Sequence, residues 1–195
     1  MKKRIFGIIA IIAAIAFVGF ACGSSSDDET IYNIGDTGPG GGIVFYDKGD
    51  NTGGWRYLEA APADVSGTQR WCKGAFESIR VNTSDGIGTG KANTAEILKI
   101  DENAPASLAC VGYRGPKNLN DWFLPSKEEL NLMFENLDGL TVFETDFYWS
   151  SSQHPAFDNT DDYWYAWVQW STIMPSVQVE VGKTNDYYVR AIRAF

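Results

Sequence analysis

The clearest alternation of apolar and polar positions predicts a helix that begins after Ser126. Its apolar positions are spaced i, i+3, i+4 and i+7, which places them on one face of a helix: Leu130, Met133, Phe134 and Leu137. Ser126 is a suitable N-cap, and Glu129 three residues later completes a capping box. Gly139 is a typical residue just beyond a helix end. The pattern therefore predicts an amphipathic helix that contributes to the core.

Two weaker helices are predicted upstream. A segment from Lys91 to Leu98 has a modest apolar face made of Thr94, Ala95, Ile97 and Leu98. Residues 104–111 form a second, shorter candidate that carries Cys110.

The remaining apolar patterns favour strands. A glycine-rich turn leads into residues 43–46, a polar turn follows, and residues 55–61 return as the partner strand of a hairpin, with Trp55, Tyr57 and Glu59 on one side. Four further candidates come late in the chain, at residues 147–151, 163–171, 176–181 and 187–194. Because the helices precede most of these strands, the order favours an α+β domain with two or three helices packed on antiparallel strands, rather than a doubly wound sheet.

The N-terminus has the pattern of an export signal. Three basic residues precede an apolar run over residues 5–20, which is shorter than the about 20 apolar residues of a membrane span. The run ends in Gly-Phe-Ala-Cys, which resembles a bacterial lipobox, so we expect residues 1–21 to be a signal peptide and Cys22 to be lipidated. Residues 22–32 would form a flexible tether. The alternatives are a plain signal peptide cleaved nearby and an uncleaved anchor.

Charge and cysteine content limit the classes of partner, metal site and cross-link that the chain can have. The net charge of −9 becomes about −12 without the basic N-terminal segment, which argues against nucleic acid as a partner. Cys72 and Cys110 are an even pair in an exported chain and favour a disulfide, with two buried free thiols as the alternative. His154 is the only histidine, so a standard zinc site is excluded, and we expect no metal and no cofactor.

Catalytic patterns are sparse. Serines 150–152 lie close to His154 in sequence, but residues this near along a strand seldom align as nucleophile and base. Gly-rich residues 35–42 lack a phosphate-loop ending and are followed by a strand, so a tight turn explains them. Paired carboxylates, such as Asp161 and Asp162, leave a glycan-active enzyme open as a second alternative.

Aromatic residues give the main binding hypothesis. Four of the seven tryptophans lie between Trp149 and Trp170. In an extended strand Trp164 and Trp170 would share one face, and Trp167 with two tyrosines the other, so that one face is core and the other an exposed platform for a sugar or a protein partner. The alternative is that both faces are covered. The candidate ligand-binding residues are Trp149, Asp161, Asp162, Trp164, Trp167, Trp170 and Asn185. Arg190 and Arg193 are interpreted as ion-pair partners of buried acids.

Five segments, in order, resemble a known bacterial family. Residues 35–46, 87–95, 122–130, 148–152 and 189–195 are similar to the C-terminal domain of a collagen-like surface adhesin. The resemblance implies a C-type-lectin-like fold over residues 33–195, related in architecture to formylglycine-generating enzymes, a surface setting, and binding of sulfated polysaccharides. This chain has no collagen-like repeat and is acidic, which argues against sulfated ligands. The sequence therefore predicts a lipid-anchored protein of the bacterial envelope, at the outer membrane or cell surface, that recognises a glycan without catalysis. A protein-binding envelope scaffold is the alternative.

Overall fold

A mixed α+β domain is formed by helices and strands that occur in the predicted order. The computed structural model describes residues 30–65, 67–156, 163–171 and 177–195, and residues 31–195 form one compact unit. The helices in these ranges are α1 (Gly90–Ile100), α2 (Pro105–Gly112) and α3 (Lys127–Leu137). The strands are β1 (Ile43–Asp47), β2 (Tyr57–Ala60), β3 (Phe147–Gln153), β4 (Tyr165–Trp170), β5 (Gln178–Gly182) and β6 (Ile192–Ala194).

Several sequence predictions fall outside the described residues. These are the signal peptide, Cys22 and most of the tether, and the candidate ligand residues Asp161 and Asp162. Within the described ranges, no helix has both the length and the apolar character needed to cross a membrane.

Two three-stranded antiparallel sheets make up the β-structure of the described residues. One has the order β1-β2-β6 and the other the order β3-β4-β5. The first sheet joins the N-terminal hairpin to the last residues of the chain, because β2 pairs with both β1 and β6. All four residues of β2 are therefore buried. The hairpin predicted from residues 43–46 and 55–61 is confirmed by the antiparallel β1–β2 pair, and β2 is in addition the central strand of its sheet.

Helix α3 confirms the prediction from its local pattern. The Ser126 hydroxyl accepts a hydrogen bond from the Glu129 N–H at 3.3 Å, and the Glu129 carboxylate accepts one from the Ser126 N–H at 2.7 Å. The predicted apolar stripe is buried along its whole length. It packs mainly on β1, and α3 also contacts β3 and β4. The helix thus bridges the two sheets.

The closing segment forms much less strand than the sequence predicts. Of residues 187–194, only Ile192–Ala194 belong to a sheet, while Tyr187 and Tyr188 make isolated bridges. The chain here crosses from the second sheet to the first, which interrupts regular pairing. Within the crossing, the buried Arg190 side chain forms an ion pair with Asp64 at 2.5 Å, as expected of a partner for an acid.

The glycine-rich turn closes around a buried carboxylate. Glu59 is fully buried on β2 and accepts hydrogen bonds from the N–H groups of Gly40 and Gly42, both at 2.9 Å. Arg193 forms an ion pair with the same carboxylate at 2.9 Å. A Cβ at Gly40 would lie only 2.5 Å from the Glu59 carboxylate oxygen. Close approach of the backbone to Glu59 therefore explains the glycines, in agreement with the tight turn predicted.

The expected disulfide is not formed. Cys72 and Cys110 are both buried free thiols within the same apolar cluster. Burial raises the pKa of the Cys72 thiol to about 11 and raises the pKa of the Cys110 thiol as well. An even cysteine count in an exported chain favours pairing but does not fix the geometry that a disulfide requires. The two thiols act here as small apolar core groups.

Replacing Gly40 by alanine tests the packing of the turn against Glu59. We expect Gly40→Ala to lower the free energy of unfolding by about 1–3 kcal/mol, because the new methyl group displaces a buried, hydrogen-bonded carboxylate. The matched control is Gly74→Ala, whose added Cβ meets no atom within 4 Å. Urea unfolding of both variants measures the difference. Equal stabilities for the two variants would show that the turn has room to relax.

The thiol state is tested by alkylation. We expect iodoacetamide to modify Cys72 and Cys110 slowly in the native protein, even at pH 9, since reaction needs the thiolate and burial disfavours it. After unfolding without a reducing agent, both peptides should carry the label in mass spectrometry. A linked, unlabelled pair of peptides would instead demonstrate a disulfide.

Candidate ligand-binding cleft

The end of β3 is shaped by a bulge made of three serines. The register between β3 and β4 shifts between Trp149 and Gln153, so that strand β3 has extra residues here. The Ser150 hydroxyl donates to the Trp167 carbonyl at 2.9 Å and accepts from the Ser152 N–H at 3.2 Å. These bonds replace ladder hydrogen bonds that the bulge removes. The bulge directs Gln153 and the following residues towards the segment 79–85.

Two further side chains fasten Ser84 in that segment to β3. The Ser152 hydroxyl donates to the Ser84 carbonyl at 3.0 Å and accepts from the Lys127 N–H at 3.0 Å. Asn93 on α1 accepts from the Ser84 N–H at 2.9 Å and donates to the Ser151 hydroxyl at 3.2 Å. All three serines are fully buried. Their hydroxyls therefore serve as structural hydrogen-bonding groups.

Gln153 holds the other half of the segment. Its amide oxygen accepts from the Val81 N–H at 2.6 Å, and its amide nitrogen donates to the carbonyls of Ile79 and Tyr163 at 3.1 and 3.0 Å. Its own N–H donates to the Thr83 hydroxyl at 2.8 Å. One buried side chain thus fixes an irregular stretch of backbone that has no regular pairing of its own.

Lys183 holds the backbone that leads into the segment 79–85. Its ammonium is buried, donates to the carbonyls of Glu77 and Ile79 at 3.0 Å each, and lies 4.9 Å from the centre of the Trp71 ring. Loss of solvation lowers the pKa of Lys183 to about 8. The backbone that leads to Arg80 is therefore held by a buried amine.

A cleft of about 780 Å³ opens between the segment 80–85 and the end of β3. Its rim carries Arg80, Asn82, Asp85 and Tyr163, with His154 beside them. The side-chain amide of Asn82 and the carboxylate of Asp85 form no hydrogen bond or ion pair with any described residue. The Arg80 guanidinium lies 5.7 Å from the centre of the Tyr163 ring. The walls are thus fixed by internal bonds, whereas polar groups on the rim are available.

The chemistry of the rim suits a polyhydroxylated ligand. An amide, a carboxylate, a guanidinium and a phenol offer both donors and acceptors, and the Tyr163 ring offers an apolar face. Among the described residues, no group of three or more His, Cys, Asp or Glu side chains is placed to hold a metal ion.

The predicted aromatic platform is divided among different environments. Trp149 is 0% exposed and donates from its indole to the Gln69 carbonyl, so it is a core residue and does not contact a ligand. Trp170 packs edge-on against Phe147, with 4.7 Å between ring centres. It lies at the end of β4 far from the cleft.

Trp167 is half-buried and is covered by a cation. The Lys127 ammonium lies 3.6 Å from the centre of its ring, and the His154 ring lies 4.9 Å away. Its indole N–H is buried and has no hydrogen-bond partner among the described residues. A sugar could stack on Trp167 only by displacing Lys127, so this residue is not an open platform.

Two predicted residues lie at the cleft end of the second sheet. Trp164 is 43% exposed, and its carbonyl accepts from the Lys183 N–H. Asn185 is exposed and donates to the Gly182 carbonyl at 2.9 Å. The cleft lies at the same end, because the His154 N–H donates to the Tyr165 carbonyl. The sequence did not indicate the segment 80–85, which has neither periodicity nor a motif.

Comparison with known proteins identifies no family for this chain. No protein-family model matches the chain, and no curated protein is significantly similar to it. The resemblance to the adhesin domain stays a prediction.

Removing the Gln153 amide tests whether this side chain holds the cleft wall. We expect Gln153→Ala to destabilise the fold by about 1–3 kcal/mol and to speed amide hydrogen exchange across residues 79–83, since buried backbone groups lose their partner. Gln178→Ala is the matched control, because Gln178 donates to Lys127 and Gln169 and not to this segment. Similar exchange in both variants would show that the wall is held by other contacts.

Proposed function

We propose that this chain is a lipid-anchored protein of the bacterial envelope whose domain binds a glycan, without catalysis, in the cleft between residues 80–85 and the end of β3. The observation that carries the proposal is that the side chains of Asn82 and Asp85, on the rim of a cleft with fixed walls, have no hydrogen-bond or ion-pair partner among the described residues. A C-type-lectin-like architecture is part of the proposal. The mixed α+β fold with two small antiparallel sheets is compatible with it.

Fixed walls favour recognition of a weakly binding ligand such as a sugar. Binding costs free energy when side chains or loops have to be ordered, and a pre-formed site reduces this cost. Gln153 and Lys183 already hold the backbone of the segment in place. Asn82 and Asp85 can then exchange water for sugar hydroxyls, and Tyr163 can cover an apolar sugar face.

The charges in the cleft support an uncharged glycan. Arg80 and Asp85 contribute opposite charges to the rim, so neither sign dominates locally. The chain as a whole has a net charge of −9, which repels sulfated or otherwise polyanionic sugars.

The lining of the cleft favours binding over hydrolysis. Glycoside hydrolysis generally uses two carboxylates about 5–9.5 Å apart. Among the described residues, Asp85 is the single carboxylate in the lining. The serines that precede His154 are buried and hydrogen-bonded, Ser150 and Ser152 to backbone carbonyls and Ser151 to the Asn93 side chain, which supports a structural role rather than a nucleophilic one.

The location follows from the N-terminal sequence. A basic start, an apolar run and Cys22 predict export, lipidation and attachment to a membrane, and the acidic, serine-rich tether would hold the domain away from the lipid surface. A glycan-binding domain presented in this way is suited to contact polysaccharide at the cell surface or in the periplasm. The alternative partner is a surface protein.

The proposal is tested by titrating the purified full chain, in detergent, with a panel of neutral and sulfated glycans. Trp164 is exposed at the same end of the sheet, so its fluorescence should report binding. We expect at least one neutral glycan to bind saturably, and Asn82→Ala and Asp85→Ala each to weaken binding about tenfold, because each substitution removes hydrogen bonds to the ligand.

Asn103→Ala is the matched control, because Asn103 is exposed on the turn between α1 and α2 and does not line the cleft. Unfolding curves of all variants should coincide. Saturable binding that is unchanged in both cleft variants would show that the glycan binds outside the cleft. No response to any neutral glycan would contradict the proposed function.

A further inference from the structure

Three of the four outer strand edges in the two sheets are closed by other parts of the chain. Val44 on β1 exchanges backbone hydrogen bonds with Gly35 and Asp36. Ile192 on β6 exchanges a pair with Phe123, at 2.9 and 3.0 Å. The outer edge of β3 receives Tyr188, to which Trp149 donates at 3.0 Å. Closure of this kind prevents an exposed edge from pairing with other chains.

The outer edge of β5 differs from the others. The Trp170 N–H donates to the Val177 carbonyl and the Lys183 N–H donates to the Trp164 carbonyl, so these are two of the hydrogen-bonded pairs of the β4–β5 ladder. Hydrogen-bonded and non-hydrogen-bonded pairs alternate in an antiparallel ladder. The N–H and C=O groups of Gln178 and Glu180 therefore point away from β4. None of these four groups bonds to a residue that the structure describes.

The edge is also regular. The β4–β5 register runs without a shift from Tyr165 opposite Gly182 to Gln169 opposite Gln178, whereas the β1–β2 and β3–β4 registers both contain irregularities. No proline interrupts residues 177–182. A regular strand with unpaired outward groups is a template for an added strand.

We propose that β5 is a docking edge for an extended, basic segment of a partner protein, which adds to the sheet as a further strand. The backbone groups of Gln178 and Glu180 would pair with the added strand. A lysine or arginine of that strand would face Glu180, and apolar residues at alternate positions would extend the row formed by Val179 and Val181. The site is separate from the cleft, so the proposal does not rest on glycan binding.

The charge at the centre of the edge selects the partner. Glu180 is exposed and forms no ion pair or hydrogen bond with a described residue. Like charges directly opposite each other in an antiparallel pair are destabilising, and opposite charges are stabilising. A second copy paired about Glu180 would place two carboxylates together, so a basic strand fits better. The net charge of −9 also attracts a basic partner over longer distances.

The side chains on the two faces of β5 set the rest of the pattern. Val179 and Val181 are half-buried and pack against the core cluster, and Glu180 is on the opposite face. An added strand with the alternation apolar-basic-apolar would match both faces. Five residues extend for about 17 Å, so a segment of roughly five residues covers the edge.

Amide hydrogen exchange measured by NMR on the purified full chain in detergent tests the proposal. In the free protein we expect slow exchange at Val179 and Val181, and fast exchange at Gln178 and Glu180. An acetylated, amidated peptide of sequence Thr-Val-Lys-Val-Thr should slow exchange at Gln178 and Glu180 tenfold or more at saturation. Slow exchange at these two amides in dilute free protein, or no change with millimolar peptide, would overturn the proposal.

A charge swap separates strand addition at this edge from general electrostatic attraction. Glu180→Lys should weaken binding of the lysine peptide at least fivefold and strengthen binding of Thr-Val-Glu-Val-Thr. Glu102→Lys makes the same change of net charge on an exposed turn and should leave both affinities nearly unchanged. Equal effects of the two substitutions would overturn the proposal.

Two further measurements distinguish a second copy of this chain from a basic partner, and the edge from the cleft. Protection of Gln178 and Glu180 that rises with protein concentration, without peptide, would assign the edge to a second copy of this chain and overturn the basic partner. Glycan titrations of Glu180→Lys should match the wild type, because Glu180 does not line the cleft. Failure at the edge is therefore distinguishable from failure of the glycan proposal.

Discussion

A carboxylate withdrawn from water is tolerated only when its oxygens are hydrogen-bonded or paired with a cation. This fold is organised around three such groups, of which Glu59 and Glu129 are fully buried and Asp64 is partly buried. Glu59 accepts hydrogen bonds from the glycine-rich turn and forms an ion pair with Arg193 of the last strand. The Asp64 carboxylate accepts hydrogen bonds from the Arg190 guanidinium and the Tyr148 hydroxyl. Each carboxylate thus joins an early part of the chain to the end of the chain.

Glu129 is the third of these carboxylates, and it joins helix α3 to the loop that leads into α1. It accepts hydrogen bonds from the N–H groups of Ser126 and Gly88, and burial raises the pKa of this carboxyl although these donors favour its ionised form. A Cβ at Gly90 would lie 2.2 Å from its oxygen. The capping box is therefore also a tertiary contact. Glycine is required at position 90 because the backbone approaches the carboxylate directly there, whereas a Cβ at Gly88 would meet the Trp55 ring at 2.9 Å.

The sequence predicted what local interactions determine. Helix α3 depends on bonds between residues three apart, and its cap, stripe and end were all visible. The segment 79–85 depends on Gln153, whose bonds to Val81 and Thr83 span 72 and 70 positions, so no local pattern could indicate it. Alternation correctly placed Trp170 and Trp167 on opposite faces of β4, but it could not show that Lys127 covers Trp167. The covering of a strand face is a tertiary property.

The second sheet presents two different kinds of surface. At the cleft, backbone groups are occupied by Gln153 and Ser152, and rim side chains such as Asn82 are available. At β5 the side chains lie on the two faces of the sheet, and the outward backbone groups are available. Side chains in a fixed cleft suit a ligand with discrete hydroxyl groups, whereas a row of backbone groups suits another backbone. The same sheet can therefore bear a site for a small polar ligand and an edge for a peptide, because the first uses side chains on the rim of the cleft and the second uses the outward backbone groups of β5.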